Sequence, residues 1–384
     1  MTKNSIVQGT LRKPTFAKED AMALKGAAIL MMMLHHCFRE TSLYEGFTIS
    51  FAPFSEQSVV RVALFFKICV SLFAFISGYG LFLSYRNNRT SATRWVARRY
   101  VSTFSGYWLI WILIAIGMQV VNRRTQTVLF QEGVWKGAAY SLIDFSGLAW
   151  MFRTPTLNGT WWYMSAAAVF IVLIPFVFRL RKNLVLVLIG SIFLLRVLTG
   201  SNGSGTYTGG NSVYAFLSPF LLGSIFANGK LVDRWFSVFS DKWWKKGIKA
   251  AVEAGVLYLL YRMYHSLPLA SFWEFHFGFV PLAVILFLAE FVLPIPGVKQ
   301  VLRFLGKHSY NIFLVHTAIR AYYLHNFTYS LRHFMLIVLF LLASSLLISL
   351  AVELLKKVSR YQKLIDRICD RIAGTPAPAV ENKP

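Results

Sequence analysis

Ten long apolar runs, separated by short polar and mostly basic segments, set the pattern of this chain. They fall near residues 22–39, 60–85, 104–121, 161–178, 184–199, 212–228, 248–264, 274–293, 308–324 and 334–355. Runs of this length suit α-helices crossing a hydrocarbon layer of about 30 Å. A helix is one of the few structures that satisfies its own backbone hydrogen bonds there. The expected fold is therefore all-α, a polytopic membrane helical bundle of about ten transmembrane helices. The first run follows a polar stretch carrying Lys3, Arg12, Lys13 and Lys18. It lacks a small-residue cleavage site, so it reads as a retained span and not as a signal peptide.

Composition agrees with that reading. Hydrophobic residues make up 56% of the chain and charged residues 15%, which excludes a disordered polymer and argues against an ordinary soluble domain. The net charge of +24 invites a nucleic-acid partner, but its distribution points to the lipid bilayer. Lys and Arg favour the segments on the N-terminal side by about three to one, the positive-inside signature. Both termini are then expected in the cytoplasm. The basic loops face anionic head groups, or an anionic cytosolic ligand.

Residues 1–20 read as a cytoplasmic polar leader, 21–355 as one membrane domain, and 356–384 as a basic cytoplasmic tail. That tail starts as a short amphipathic helix and ends in a Pro-rich stretch from Thr375 expected to be disordered. The longest outside loop, about 122–160, carries Trp135, Asp144, Trp150 and Arg153 and is long enough to form a lid or an acceptor platform. Gly200–Asn211 reads as a flexible outside loop. The sequons at Asn88, Asn158, Asn202 and Asn326 read as chance. Cys37, Cys69 and Cys369 show no metal or disulfide spacing.

Ionisable residues inside apolar runs are the candidates for chemistry. Lys25 and His36 lie eleven positions apart in the first run. At about 100° and 1.5 Å per residue, they share a helix face roughly 16 Å apart along the axis. His36 lies toward the outer face, and a neutral imidazole there can take a proton from a hydroxyl and return it to a leaving group. The same pair also fits a snorkelling lysine and a helix-packing histidine. In the ninth run, Gly306-Lys307-His308-Ser309-Tyr310-Asn311 leads to His316. Ser309 and His316 share a face but stand roughly 10 Å apart, too far for a direct nucleophile–base pair. Ser77-Gly78-Tyr79-Gly80 reads first as close helix packing. The basic run Arg86, Arg89, Arg94, Arg98, Arg99 precedes Tyr107-Trp108, and its arginines include candidate phosphate ligands. Trp161-Trp162-Tyr163 fits an interfacial aromatic belt or a sugar-stacking platform. Lys67, Arg196, Arg262, Glu274, His276 and Arg320 all fall in the outer half, which suggests a polar cavity open to that side.

Taken in order, these motifs resemble the acyltransferase-3 family of integral membrane acyltransferases, over about residues 18 to 350. Lys25 and His36 are similar to its basic residue, ten intervening positions and histidine, with lysine where many members carry arginine. Ser77-Gly78-Tyr79, Arg98-Arg99-Tyr100 through Tyr107-Trp108, Trp161, and Gly306 to His316 follow the rest of the family pattern. The resemblance implies O-acyl transfer, most simply of acetate, from cytosolic acyl-CoA to a hydroxyl of a cell-surface glycan or its lipid-linked precursor. It also implies a bacterial plasma membrane. His36 would be the base. Lys25, Arg94, Arg98 and Arg99 would contact the donor's phosphates. His316, Lys67 or Arg196 would orient the base or stabilise the oxyanion, and Trp161, Trp162, Lys67 and Arg196 would meet the acceptor. Acyl-CoA is a co-substrate here, and no permanently bound cofactor or metal is expected. Some relatives carry a C-terminal esterase-like domain. Without one, the acyl group passes directly to the acceptor or to a separate acyl-accepting protein, and a homodimer is a further possible arrangement. The rival readings are a polar-solute transporter or flippase of a glycan pathway, and a non-catalytic scaffold.

Overall fold

The computed structural model describes residues 16–199, 213–267 and 273–374. The leader up to residue 15, the Gly200–Asn211 loop with Asn202, and the tail from Thr375 lie outside the described residues. All ten apolar runs fold as helix where they are described. The first becomes α1 (Lys18–Phe38), with an acidic first turn at Glu19 and Asp20 that suits the positive end of the helix dipole. The second breaks at a 3-10 turn, Phe66–Ile68, into α2 (Glu56–Phe65) and α3 (Cys69–Arg86). Ser91 caps the long α4 (Ala92–Asn122) by accepting from the Arg94 amide.

The 122–160 loop holds α5 (Arg124–Leu129), α6 (Val134–Phe145) and α7 (Ala149–Phe152). Then follow α8 (Trp162–Arg179), α9 (Leu184–Thr199), α10 (Leu217–Gly229), α11 (Leu231–Ser237) and α12 (Trp243–Ser266). Next, α13 (Val280–Phe287) is flanked by π-helical turns at Phe275–Phe279 and Leu288–Val292. α14 (Val298–Thr317) runs on as a π-helical segment, Ala318–Tyr323. The chain closes with α15 (His325–Ser330), α16 (Phe334–Val358) and α17 (Tyr361–Ala373).

Polarity is inverted relative to a water-soluble bundle. Ile112, Ile116, Val120, Leu186, Phe193, Leu339, Leu347 and Leu354 are exposed, while Ser71, Asn158, Ser165, His316 and Ser345 are buried. An apolar exterior of this extent belongs in lipid. Among the described residues, six helices are long and apolar enough to cross a membrane, or seven if the bent pair Tyr214–Gly229 and Leu231–Ser237 is one span. That is fewer than the expected ten. α9 has only 16 residues, α12 carries Lys245, Lys246, Lys249 and Glu253, and α14 begins with Lys299, Arg303 and Lys307.

Two glycine contacts set the core. A Cβ on Gly26 would stand 1.9 Å from the Leu302 carbonyl oxygen, and one on Gly306 would stand 1.8 Å from that of Met22. α1 and α14 therefore touch backbone to backbone, as small residues allow. Both begin at the same face of the bundle, here the near face, and both end at the far face. Gly78 and Gly223 join α3 to α10 in the same way, against the carbonyls of Phe220 and Phe75. The rest of the Gly306 motif is a packing hub. Tyr310 Oη donates to the Thr103 carbonyl on α4 at 2.9 Å. Asn311 Nδ2 donates to Ser349 Oγ at 3.1 Å and Glu353 Oε1 at 2.9 Å on α16.

Candidate active site

The helix contacts place the two histidines. Gly26 to His36 is ten residues, and so is Gly306 to His316. Equal steps on two parallel helices give equal rise and rotation, so the glycine contact at the bottom fixes a histidine contact above it. The rings of His36 and His316 lie 4.8 Å apart between centroids, tilted by 47°. His35, one residue earlier, turns away and holds the Ala63 carbonyl of α2 through Nδ1 at 2.8 Å.

The two paired rings differ chemically. His316 is fully buried, with Nδ1 2.8 Å from the Phe313 carbonyl and Nε2 3.0 Å from Thr317 Oγ1. A carbonyl only accepts, so Nδ1 carries the proton and neutral Nε2 accepts from the hydroxyl. Both nitrogens are thus committed, which suits His316 to holding its neighbour and not to moving protons. His36 has no hydrogen bond among the described residues, and its ring faces open space on two sides.

That space is a line of three adjoining cavities. The near cavity, about 440 Å³, is lined by Lys18, Tyr79, Ser84 and Lys307. It shares Lys25, Ser77, Arg99, Thr103, Ser309 and Tyr310 with a middle cavity of about 190 Å³. The middle cavity shares His36, Val70, Thr160 and Trp162 with a far cavity of about 270 Å³, which adds Arg39, Lys67 and Arg320. Lys25 and Arg99 stand at the near junction, and His36 stands at the far one. Within the middle cavity, Arg99 Nε is buried without a hydrogen-bond partner among the described residues. A ligand with polar atoms is what such a group would accept.

A fourth pocket, of about 570 Å³, opens on the far face between Trp150, Arg153, Trp162 and Tyr214. Asp144 ties this loop to α4. Its Oδ2 accepts from Trp111 Nε1 at 2.9 Å and from the Leu157 amide at 3.1 Å. Trp161 is buried, and its Nε1 donates to the Leu314 carbonyl at 3.0 Å, joined there by Asn158 Nδ2 at 3.4 Å. This carbonyl lies where α14 passes into its π-helical segment, so it needs donors from outside its own helix.

The remaining candidates separate on position. Trp162 stands where the middle, far and surface pockets meet, whereas Trp161 only lines the surface pocket and pins it to α14. Lys67 lines the far cavity. Arg94 and Arg98 do not reach any of the three cavities. They are exposed on α4 beside α17, where Arg98 lies 3.6 Å from Asp370 and its carbonyl takes Cys369 Sγ at 3.7 Å. Arg196 lies in α9, with its side chain outside the described residues. Sequence reasoning missed Thr103 as a cavity wall, read Ser77 first as packing, and placed Tyr163 in an aromatic belt or sugar-stacking platform. Tyr310 carried a signal through its place in the Gly306 motif. No group of three His, Cys, Asp or Glu side chains converges among the described residues.

Residues 22–354 of the chain match the model of a protein family described as an acyltransferase domain, acyltransferase-3. The chain belongs to the acyltransferase-3 family. No curated protein and no solved structure matches it. Apart from Lys18, the cavity-lining residues named above fall within the matched residues, and the several apolar helices make the chain a multi-pass membrane protein.

Proposed function

We propose that the chain is an O-acyltransferase, moving an acyl group, acetyl first among the candidates, from acyl-CoA to a glycan or lipid-linked saccharide. The near face is the cytoplasmic face of a bacterial plasma membrane. About ten helices span the bilayer, counting α9, α12 and α14, and both termini lie inside. One observation carries this reading: the line of cavities has two cations at its near junction and an uncommitted histidine at its far one. Lys25 and Arg99 take the donor's phosphates. Arg94 and Arg98, exposed on the near end of α4, add to the field that draws the anion in. The acyl arm then enters the middle cavity, and the acceptor hydroxyl arrives from the far side past Trp162.

The chemistry follows from what His36 can do. Its free nitrogen accepts the proton of the acceptor hydroxyl as the oxygen bonds to the thioester carbon. The tetrahedral intermediate then collapses, the carbon–sulfur bond breaks, and the imidazolium returns the proton to the departing thiolate. His316, fixed by its own two hydrogen bonds, keeps the His36 ring in register.

A polar-solute transporter or flippase would also use a line of cavities, but family membership favours the transferase. The test uses purified protein in liposomes, with radiolabelled acetyl-CoA and cell-envelope glycan. Wild-type protein is expected to transfer label and folded His36→Ala to lose it. Equal transfer by both would remove His36 as the base. No transfer from any acyl-CoA in a panel would favour the transporter.

A further inference from the structure

We infer that the far cavity is an anion subsite, built around Arg320, for an acceptor that carries a carboxylate or phosphate beside the hydroxyl to be acylated. This rests on the acyl-transfer reading above for the role of the cavity, though not for the existence of the anion site.

Arg320 is only 6% exposed. Its one hydrogen-bond partner among the described residues is neutral: a terminal nitrogen donates to Tyr329 Oη at 3.3 Å, and that hydroxyl in turn donates to the Cys37 carbonyl at 3.1 Å. Nε is buried and has no partner among the described residues. Among the described residues no carboxylate pairs with this guanidinium, and no Asp or Glu lines the cavity. A buried cation without a counter-charge is costly to maintain, and a ligand anion would relieve that cost. Tyr329, itself fully buried, holds the guanidinium in place before any ligand arrives.

Two features aim the group at the reaction centre. Arg320 lies in the π-helical segment Ala318–Tyr323 that continues α14 just beyond His316, and π turns inside α-helices recur at functional sites. Arg320 and His36 also line the same cavity of about 270 Å³, which has room for one sugar-sized group. Arg39 and Lys67 line it too and add positive charge, although Arg39 is already bonded to Glu40 at 2.8 Å. A planar guanidinium bonds carboxylates and phosphates through two donors at once. Such a contact fixes the orientation of the acceptor and hence which hydroxyl meets His36. Selection for negative charge at the acceptor follows.

The test compares matched alkyl glycosides that differ only in charge: a neutral glucoside, the corresponding glucuronide and the 6-phosphate. Binding to the purified full chain is measured without acyl-CoA, and label transfer is measured with it. The wild type is expected to bind at least one anionic glycoside about tenfold or more tighter than the neutral one, the scale of hydrogen bonds to charged groups. The two anionic arms show whether carboxylate or phosphate is the better fit. In Arg320→Gln the preference should vanish, and in Arg320→Lys part of it should return.

Equal binding of charged and neutral glycosides by the wild type would overturn the proposal, and that measurement needs no variant to fold. So would an Arg320→Gln protein that weakens all three glycosides in proportion, since a structural or oxyanion role does that. Charge preference in binding without any label transfer would uphold the anion site and remove the acyl-transfer reading. Transfer without charge preference would do the reverse.

Discussion

Gly26→Ala is the sharpest perturbation of this bundle, because what it would strike is backbone. The added Cβ would lie 1.9 Å from the Leu302 carbonyl oxygen, while an ordinary contact begins at 3.4 Å. A side-chain tip could swing aside, but a helix backbone cannot. α1 must therefore retreat from α14 by about 1.5 Å, the difference between those distances. Overpacking of this kind costs about 1–3 kcal/mol, against at most about 1 kcal/mol regained from the better helix propensity of alanine. The functional cost should be larger than the stability cost. Lys25 is the adjacent residue, His36 lies ten residues further along α1, and His316 sits on the helix being pushed away. A misplacement of about 1 Å at a reacting centre can cost about 10²-fold in rate.

The assay pairs thermal unfolding of the detergent-purified protein with acyl transfer. Gly26→Ala should melt earlier and lose about two orders of magnitude in turnover. Gly255→Ala is the control: it sits inside α12 with nothing within 4 Å of its would-be Cβ, so it should melt no earlier than the wild type. The double variant with Gly306→Ala should lose less than the sum of the two single losses, because one separation of α1 from α14 relieves both clashes. A Gly26→Ala protein with wild-type melting and turnover would refute the close contact. The account of how His36 is positioned would fall with it.

His36→Ala should lose about 10²–10⁴-fold in turnover, whereas His316→Asn, which has no imidazole but can still bond locally, should lose less; turnover measured side by side decides it. Lys25→Ala and Arg99→Gln should each raise KM for acyl-CoA about tenfold or more, the scale of hydrogen bonds to charged groups, while Arg98→Gln, exposed and only loosely paired with Asp370, should change it little. Titration of the donor at fixed acceptor separates these cases. Lys249 Nζ is buried between Glu290, at 2.6 Å, and Glu253, at 3.8 Å, so Lys249→Met should destabilise by about 3–5 kcal/mol by stranding two carboxylates. Adding Glu290→Gln should restore part of the melting temperature.

The sequence made some of this site legible because α1 is an unbroken helix. Over Lys18–Phe38 the regular 3.6-residue period holds, so the spacing of Lys25 and His36 translated directly into one face and two ends of a cavity. The pairing of His36 with His316 was within reach too, through the equal ten-residue steps from Gly26 and Gly306, although a glycine inside an apolar run gives no sign of which helix it meets. The span count was less legible. Hydropathy averages over a run, while the fold shelters charged stretches of α12 and α14 against neighbours: Lys249 against Glu290, and Lys299 against Asp20 at 2.6 Å.

Arg98 and Arg99 show where periodicity runs out. The two residues are adjacent, and a rotation of about 100° sends them to different surroundings. One faces solvent and α17, and the other reaches the wall between two cavities. Nothing local to α4 distinguishes them, since the choice is made by α17 packing from more than 250 residues away, with Tyr361 Oη on the Ser105 carbonyl. Arg320 is harder still. The π-helical segment adds residues to a turn without any sequence mark and resets the face on which every later side chain falls. Arg320, four residues past His316, keeps to the side of the far cavity, yet nothing in the sequence sets it apart from the other embedded cations. The residue with the most unsatisfied charge at the far cavity was thus visible only as one embedded cation among several. Its role follows from the company that long-range packing gives it, namely a phenol, no carboxylate, and the same cavity as His36.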